Sequence, residues 1–425
     1  MQHSSKDSSS IAVEALKKSS TSTQKTYDFI IVGAGIVGLA TAYKLHKKFS
    51  DATILVLEKE GRVGAHQTGK NSGVIPSGIY YKPGSYKAIN CREGRLQLVD
   101  FCNEMNVAME VCGKVIVATK EEELPRLDGI YQRGIENEIE GITMINLDEL
   151  AEIEPHVKGV KAIHVPCSGI VDYVGMCDRM MEAIKGDSRG YVQFSARVHG
   201  IRETSSEVHV QAGNSSYKGR YLINCAGLYC DHVAKSAGLN SPVKIVPFKG
   251  EYYELEPESE YLVKHLIYPL PNPEFPFLGV HFTRMALGGI ECGPNAVFVF
   301  KREGYEKFAF DFKESMESLT FPGFWKMATK HWRMGLDEYK RSFSKEAFVR
   351  GLQSLIPEVQ SHHLKHSPAG VRAIALQPDG EILDDFHFER ADRQIHVLNA
   401  PSPAATACLS LGDELVRKCE MDFEL

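Results

Sequence analysis

The chain has 425 residues, of which 43% are hydrophobic and 24% are charged, which predicts two or three folding units of a globular protein. Its formal net charge of -6 gives no overall basic field, which argues against nucleic acid as a partner. Its apolar runs are shorter than the ~20 residues that cross a bilayer, which argues against a transmembrane span and leaves peripheral membrane contact open.

Residues 1–26 differ from the rest of the chain in composition. Serine and threonine dominate this segment, and four lysines outnumber its two acidic residues. Such a composition predicts a disordered leader, with a mitochondrial transit peptide as the functional alternative. Arginine is absent, which weighs against the second interpretation, so composition alone leaves both open.

A buried strand that turns directly into a glycine-rich helix start occupies residues 27–38. In this pattern Gly33 permits the tight turn, Gly35 lets the backbone approach a pyrophosphate, and Gly38 lets the helix pack against the strand. The next apolar run ends in Glu58, an acid at the distance that suits the ribose of a dinucleotide. The motif predicts a dinucleotide site without separating NAD from FAD. A βαβ unit whose glycines serve only packing is the alternative.

The following polar segment, residues 61–84, is longer than an ordinary connection between two elements. This length predicts a loop that covers the cofactor. Beyond it, the apolar spacing predicts a series of helices and strands. The helices are expected at 88–105, 121–138, 147–155 and 174–185, and the strands at 113–118 and within 192–210.

A second strand-to-turn segment, residues 221–227, ends in Ala226 and Gly227. Small residues there are predicted to lie against a cofactor, and a plain buried strand and turn is the alternative. The last segment predicts a strand at 395–398 and then a loop, 399–406, that leads into a helix.

Between these pieces the pattern changes. Short strands broken by Pro and Gly predict an antiparallel sheet at 246–300. Residues 308–339 are predicted to be helical, with Phe312, Met316 and Leu319 on one face.

Three separated pieces therefore have Rossmann-like character and two intervening pieces do not. This alternation predicts an α/β chain, α+β overall, with a discontinuous Rossmann-like FAD-binding domain and an interleaved antiparallel-sheet substrate domain. A flavoprotein, whose chain returns to cover the flavin, fits it better than a nicotinamide dehydrogenase. The FAD-binding domain is expected at 27–92, 162–240 and 366–425, and the substrate domain at 93–161 and 241–365.

No metal is predicted. The ten cysteines form no CxxC pair, so neither a zinc ribbon nor a thioredoxin-like site is indicated. His362, His363 and His366 have no cysteine or carboxylate at ligand spacing, which favours a solvated turn or helix face.

Short motifs spread over nearly all of the chain after residue 26 carry a family resemblance. They are HQTG at 66–69, NSGVI at 71–75, SGIYYKP at 77–83, GIVDY at 169–173, VPFKG at 246–250, FLGVHFT at 277–283, GPNA at 293–296, FKREGY at 300–305, GVRA at 370–373 and NAPSPAAT at 399–406. Together they resemble the D-amino-acid oxidase superfamily of flavoproteins and, within it, the L-2-hydroxyglutarate dehydrogenases.

The resemblance implies oxidation of L-2-hydroxyglutarate, a small dicarboxylate, to 2-oxoglutarate, with FAD as the hydride acceptor. It also implies a quinone or similar electron acceptor and a mitochondrial location. The family carries histidines where this chain has Lys70 and Pro76, which alters the loop expected beside the flavin. An amine or amino-acid oxidase of the same superfamily, or a weakly catalytic flavin-binding protein, remain the alternatives.

Oxidation of a 2-hydroxy acid needs a base near the hydroxyl and cations that hold the carboxylates. His281 is the leading base, because an imidazole titrates near pH ~6.5, and a core histidine is the alternative interpretation. Tyr252 and Lys249 are the next candidates for this base. Lys249, Arg302 and Arg372 are candidate carboxylate clamps. The alternative for Arg302 is exposure to solvent, and the alternative for Arg372 is contact with the cofactor.

The residues predicted to bind the cofactor come from the glycine turn, the acid after the second strand, the polar loop and the returning segments. They are Gly33, Gly35, Gly38, Glu58, Lys59, Asn71, Ser72, Gly73, Ala226, Gly227, Gly370, Arg372, Ala404, Ala405 and Thr406. The last three stand at a predicted helix start, whose amides and dipole suit the negative charge of a reduced flavin. Simple capping is the alternative there.

Overall fold

The computed structural model describes residues 25–271 and 279–425. The prediction for the leader therefore lies almost wholly outside the described residues, as do Phe277 and Leu278 of one family motif. In chain order, the strands are β1 (Thr26–Val32), β2 (Ile54–Leu57), β3 (Val74–Ile75), β4 (Met109–Glu110), β5 (Lys114–Ala118), β6 (Thr143–Ile145), β7 (Lys161–Val165), β8 (Gly169–Val171), β9 (Gly190–Gln193), β10 (Val198–Glu203), β11 (Val208–Ala212), β12 (Ser215–Asn224), β13 (Lys244–Leu255), β14 (Leu266–Pro269), β15 (His281–Arg284), β16 (Ile290–Gly293), β17 (Val297–Phe298), β18 (Leu364–Leu376), β19 (His387–Ala391) and β20 (Gln394–Asn399). The α-helices are α1 (Ile36–Lys48), α2 (Tyr86–Met105), α3 (Leu124–Glu136), α4 (Leu147–Ile153), α5 (Tyr173–Lys185), α6 (Cys230–Ser236), α7 (Phe312–Leu319), α8 (Pro322–Lys330), α9 (Trp332–Phe343), α10 (Lys345–Gln353) and α11 (Cys408–Asp422).

The first sheet is built around five parallel strands in the order β20-β12-β1-β2-β9. Its central strand β1 is apolar on both faces, with Ile30 and Ile31 fully buried, as expected of a strand covered by structure on each side. Helices α1, α5 and α11 pack against one face in a common core. The β10–β11 hairpin extends the sheet through the first half of β12, and β19 pairs with β20.

The second sheet is mostly antiparallel and runs in the order β17-β13-β16-β15-β14-β5-β7-β6, with β18 along the other edge of β13. One pair, β14 with β5, is parallel. All of its strands come from the chain between the pieces of the parallel sheet: β5, β6 and β7 lie between β2 and β9, and β13 to β18 lie between β12 and β19. A small third sheet has the order β3-β8-β4. The predicted fold class, a discontinuous Rossmann-like unit with an interleaved antiparallel sheet, is confirmed.

The domain boundaries stay a prediction. One of them can be compared with the position of a helix. The predicted boundary between residues 92 and 93 lies inside α2. Leu98 and Phe101 of this helix pack in the core beneath the parallel sheet.

The predicted long helix at 308–339 is divided into α7, α8 and α9. Pro322 begins α8, because proline lacks the amide hydrogen needed inside a helix and is tolerated in the first turn. Among the described residues, no helix has both the length and the apolar character needed to cross a membrane.

Candidate active site

A cavity of about 1580 Å³ is lined by residues from both large sheets. It exceeds the roughly 300–1,000 Å³ of an ordinary ligand pocket, so it has room for a dinucleotide and a small substrate. Most residues predicted to bind the cofactor line it: Gly33, Gly35, Glu58, Lys59, Asn71, Ser72, Ala226, Gly227, Gly370, Arg372, Ala404, Ala405 and Thr406. Gly38 and Gly73 lie behind this lining.

The glycine turn between β1 and α1 is shaped by close backbone contacts. Gly33 has φ +103°, and a Cβ added there would come within 2.6 Å of the Cys225 carbonyl oxygen. A Cβ on Gly38 would fall 2.0 Å from the Gly33 carbonyl oxygen. At Gly35, in contrast, an added Cβ would meet only Thr68 Oγ1, at 3.4 Å. The backbone of the turn is therefore tightly packed on the side of the protein core and open on the side of the cavity, as the binding of a pyrophosphate requires.

Glu58 stands directly after β2 with its carboxylate fixed beside this turn. Its two oxygens accept hydrogen bonds from the backbone amides of Ala34, at 2.7 Å, and Glu60, at 2.8 Å. These bonds hold the acid at the edge of the cavity, where lone pairs remain for the hydroxyls of a ribose.

The turn after β12 is shaped by Asn224. Its side chain accepts from the Ala226 amide at 3.1 Å and donates to the Cys230 carbonyl oxygen at 2.8 Å. Gly227 adopts φ +55°, a backbone conformation that favours glycine. These contacts hold Ala226 and Gly227 against the cavity, beside the glycine turn of β1.

Gly370 of β18 lets the polar loop pack directly on the substrate sheet. A Cβ on Gly370 would come 2.2 Å from the Lys70 carbonyl oxygen. Arg372, two residues further along β18, also lines the cavity, and its charge acts on the Tyr252 hydroxyl. Burial raises the pKa of Tyr252 to about 12, against the opposing effect of the Arg372 charge, so this phenol is protonated at neutral pH.

His281 of β15 is buried at the cavity wall, stacked on Tyr268 with ring centroids 4.0 Å apart. Its Nδ1 lies 2.8 Å from the Gly279 carbonyl oxygen. Since a carbonyl only accepts, Nδ1 carries the proton and Nε2 is the basic atom. Burial, aided by the positive charges of Arg372 and Lys114, lowers the pKa of His281 to about 4. The imidazole is therefore neutral at working pH.

Comparison with known proteins agrees with this geometry. The family model of FAD-dependent oxidoreductases matches residues 28–418. The chain is 51% identical to the L-2-hydroxyglutarate dehydrogenase of Indibacter alkaliphilus, covering 91% of this chain and 97% of that protein. It is 42% identical to the L-2-hydroxyglutarate dehydrogenase of Escherichia coli K12, covering 93% of each. The chain belongs to the L-2-hydroxyglutarate dehydrogenase family. FAD is its cofactor, and the glycine turn, Glu58 and the open backbone of Gly35 fit that group.

A solved relative supports the same fold at lower identity. The FAD-bound L-alpha-glycerophosphate oxidase of Mycoplasma pneumoniae superimposes with a TM-score of 0.77 at 21% identity, covering 94% of this chain and 95% of that one. At this identity the likeness concerns the fold alone.

Lys114 is a cavity residue that the sequence analysis missed. It begins β5, in a run whose other four residues are apolar, and all five are buried. Its Nζ lies 4.9 Å from the ring centroids of both Tyr80 and Tyr268. Burial lowers the pKa of Lys114 to about 8. The available signal was a lysine inside an apolar strand, because a buried ammonium group is costly unless it has a use.

The structure does not bring Arg302 and Lys249 to this cavity, although both are buried. Arg302 forms a fork with Asp231, at 2.6 and 2.9 Å, and also donates to the Leu228 carbonyl oxygen at 2.6 Å. Lys249 pairs with Glu251 at 3.0 Å. Since buried charges need partners, each cation is already matched by a carboxylate. The alternative interpretation of Arg302, exposure to solvent, is wrong, because this side chain is buried. The clamp role predicted for both residues gains no support from their placement.

The loop that departs from the family lies at the same cavity. Lys70 and Pro76 both line it, and Lys70 Nζ stands 4.3 Å from the centroid of the Tyr305 ring. Tyr305 in turn hydrogen-bonds His66 Nδ1 at 2.6 Å. At these two positions the loop thus presents one cation and one residue without a titratable side chain.

Glu60, His66 and Glu303 approach one another closely enough to resemble a metal site. The Lys59 ammonium stands among them, 2.5 Å from Glu303 and 2.7 Å from His66 Nε2. Burial raises the pKa of Glu303, but the bonds from His66 and Lys59 outweigh it and bring the value to about 2. The positive charge that these carboxylates require is therefore supplied by a lysine, and we assign no metal.

Replacement of Gly35 by valine is expected to give a folded protein that binds FAD at least tenfold more weakly, or about 1.4 kcal/mol. The backbone at Gly35, with φ -76° and ψ 174°, suits any residue, so the added side chain enters the phosphate space without strain. The FAD-to-protein absorbance ratio and a melting curve measure the two effects. Gly61→Val, where an added Cβ has no described neighbour within 4 Å, is the control. Full FAD content in Gly35→Val would contradict this placement of the phosphates.

Proposed function

We propose that the chain oxidises L-2-hydroxyglutarate to 2-oxoglutarate. The observation that carries the proposal is one cavity that joins a dinucleotide cradle to a neutral imidazole, His281, and two cations, Arg372 and Lys114. FAD held by the glycine turn and Glu58 would supply the acceptor for the hydride that leaves C2 of the substrate. The names of relatives at 42% to 51% identity support the substrate.

His281 is proposed to accept the hydroxyl proton at Nε2. The hydrogen bond from Nδ1 to Gly279 fixes the tautomer and the direction of the ring, and it stabilises the imidazolium once formed. The neighbouring charges of Arg372 and Lys114 oppose that imidazolium, so the proton is released readily after the reaction. A dianionic substrate between the same cations offsets their effect while the proton is being taken.

Arg372 and Lys114 are proposed to bind the two carboxylates. A guanidinium fork matches a carboxylate, and an ammonium in a buried setting attracts one strongly. Arg372 and Lys114 are the two cations whose charges act on His281. Two cations beside the proposed base match two negative charges, which favours a dicarboxylate over an amino acid.

The direct test is anaerobic mixing of the FAD-loaded protein with L-2-hydroxyglutarate. We expect the yellow absorbance to bleach, and the D enantiomer to leave it unchanged. Hydrogen peroxide formed from glycine, proline or sarcosine, with no bleaching by L-2-hydroxyglutarate, would instead assign an amino-acid oxidase.

Lys114→Met is expected to raise KM for L-2-hydroxyglutarate by about 10- to 100-fold, because a charged hydrogen bond contributes about 1.5–3 kcal/mol. Its effect on kcat should be much smaller. The control is Lys82→Met, which removes an exposed lysine of the same cavity, where solvent weakens the interaction. An unchanged KM in Lys114→Met would remove Lys114 from the binding site.

The proposal extends to a quinone as the electron acceptor, which follows from the family resemblance. Steady-state turnover with a short-chain ubiquinone, compared with molecular oxygen alone, tests it. Turnover with oxygen as fast as with quinone would contradict it.

We also propose a mitochondrial location. A relative from Mus musculus, 43% identical over 93% of this chain and 88% of that protein, carries mitochondrial in its name, whereas the bacterial relatives do not. Residues 1–26 fused to a fluorescent protein should enter mitochondria in a eukaryotic cell. Diffuse fluorescence would contradict a transit peptide in this segment.

A further inference from the structure

Glu291 of β16 is a buried carboxyl group that the proposed mechanism does not use. It is 8% exposed, and among the described residues its Oε2 has no hydrogen-bond partner. A carboxylate buried in this way is costly, so the neutral form is favoured. Burial, aided by the charge of Glu254, raises the pKa of Glu291 to about 8, and Ser367 opposes this rise. At neutral pH the carboxyl group is therefore mostly protonated.

The register of the substrate sheet places Glu291 on the same face as His281. Side chains alternate between the two faces of a strand, so Thr283 shares the face of His281 in β15. Thr283 lies directly opposite Glu291, and Gly293 lies directly opposite His281. Glu291 and His281 are thus diagonal neighbours, a relation that corresponds to about 7–8 Å. The carboxyl group therefore lies behind the proposed base, at the distance of one intervening side chain.

Two hydroxyl groups lie between His281 and Glu291. Tyr268 of β14 stacks on His281 with ring centroids 4.0 Å apart. Burial raises the pKa of Tyr268, and contact with the Thr283 side chain opposes this rise. Thr283 in turn pairs with Glu291 across the strands. Since a hydroxyl group can donate one proton and accept another, these neighbours can pass a proton from the imidazole toward the carboxyl group.

The other side of Glu291 leads to solvent. Glu254 of β13 lies directly opposite Glu291, and its side chain is 33% exposed. Lys365 of β18, opposite Glu254, lies 3.4 Å from that carboxylate and is 40% exposed. Two further titratable neighbours, Cys292 and Tyr252, have pKa values that burial raises, so both stay uncharged. The series of polar groups thus ends at a solvated carboxylate.

We propose that Glu291 carries the proton accepted by His281 out of the cavity to Glu254 and the solvent. We call Tyr268, Thr283, Glu291 and Glu254 the proton route. The proposal rests on the proposed oxidation and deepens it. The substrate takes the side of His281 that is open to the cavity, so the proton leaves through the sheet behind the imidazole.

A neutral Glu291 suits this role because a protonated carboxyl group both donates and accepts. It can accept a proton at its carbonyl oxygen and release another from its hydroxyl oxygen. Each oxidation transfers one hydroxyl proton to His281, which must lose it before the next substrate is oxidised. Glu291 therefore ends every transfer in the neutral state in which it began, and one proton reaches the solvent for each hydride that leaves C2.

The test follows flavin reduction and proton release in one anaerobic stopped-flow experiment. The FAD-loaded full chain is mixed at neutral pH with L-2-hydroxyglutarate in weak buffer that contains a pH indicator dye. In the wild type we expect both signals to appear together. In Glu291→Gln and in Thr283→Val, which nearly keep the shape of the side chain, bleaching should keep its rate, whereas proton release should lag by about tenfold or more. The control is Glu258→Gln, which removes an exposed acid beyond the end of β13 and should change neither signal.

Proton release in step with bleaching in Glu291→Gln would overturn the proposal. Slowing of bleaching by the same factor as proton release would also overturn it, because that result would indicate a structural role. If Glu291→Gln does not fold, the same two outcomes are read from Thr283→Val.

Infrared difference spectra between about pH 6 and about pH 10, recorded without substrate, supply an independent check. The band of a neutral carboxyl group should disappear in the wild type with a midpoint at about pH 8, and this change should be missing from Glu291→Gln. A wild-type spectrum without this change would overturn the proposal. Since this check needs no substrate, whereas bleaching of the wild type tests the oxidation itself, a failure of the proton route is distinguishable from a failure of the proposed function.

Discussion

His281→Ala is expected to slow anaerobic flavin reduction by about 10²- to 10⁴-fold, the usual cost of removing a general base. The reason is positional: His281 is the buried imidazole of the cavity, and its Nδ1 bond to Gly279 leaves Nε2 to take the proton. FAD content should remain that of the wild type. Stopped-flow absorbance of the flavin measures the rate.

The pH profile makes this prediction specific. The neutral imidazole is the active form, and its pKa is lowered to about 4, so kcat/KM should stay level from pH 7 to near 5 and fall below that. The His281→Ala variant should lose this acid limb. His164→Gln is the control, because burial also lowers the pKa of His164, on β7 of the same sheet, away from the cavity lining. A His281→Ala rate equal to the wild type at every pH would refute the assignment.

Arg302→Met is expected to lower the free energy of unfolding by about 3–5 kcal/mol, as found when one partner of a buried ion pair is removed. Asp231 would be left buried without the guanidinium group that binds both of its carboxylate oxygens. Burial alone raises the pKa of Asp231, but Arg302 reverses the direction and keeps the carboxylate charged. Denaturant unfolding of the FAD-loaded protein measures the loss.

A double-mutant cycle separates structure from substrate binding at Arg302. Asp231→Asn combined with Arg302→Met should recover part of the lost stability, because no unpaired charge remains. If Arg302→Met were as stable as the wild type but raised KM about tenfold or more, the clamp predicted from the sequence would be right and this interpretation wrong.

Local signals in the sequence were sufficient to predict small residues that the structure brings together at one side of the cavity. Gly33 adopts a backbone conformation that favours glycine, and Gly38 packs on Gly33 only five residues away. Such local requirements are written directly in residue type. The return partner of this glycine turn, Ala226 and Gly227, was found in the same way. Both sets of small residues line one cavity.

Interactions between residues that are far apart in the chain could not be predicted from the sequence. Arg302 meets Asp231 across 71 positions, and nothing near either residue indicates the pairing. Lys114 was passed over because its strand reads as plain core. The helical face of Phe312, Met316 and Leu319 was predicted, but periodicity shows which residues share a face without showing which way it points. Two of the three are exposed.

The close approach of Gly370 to Lys70 determines which of these two positions can accept another side chain. The contact is made by the carbonyl oxygen of residue 70, which every amino acid carries, so its side chain is not selected by that packing. Only glycine fits at position 370, since any Cβ there would collide with the loop. The side chain at position 70 can therefore be exchanged without moving the backbone, and substitutions tolerated at 70 should be forbidden at 370.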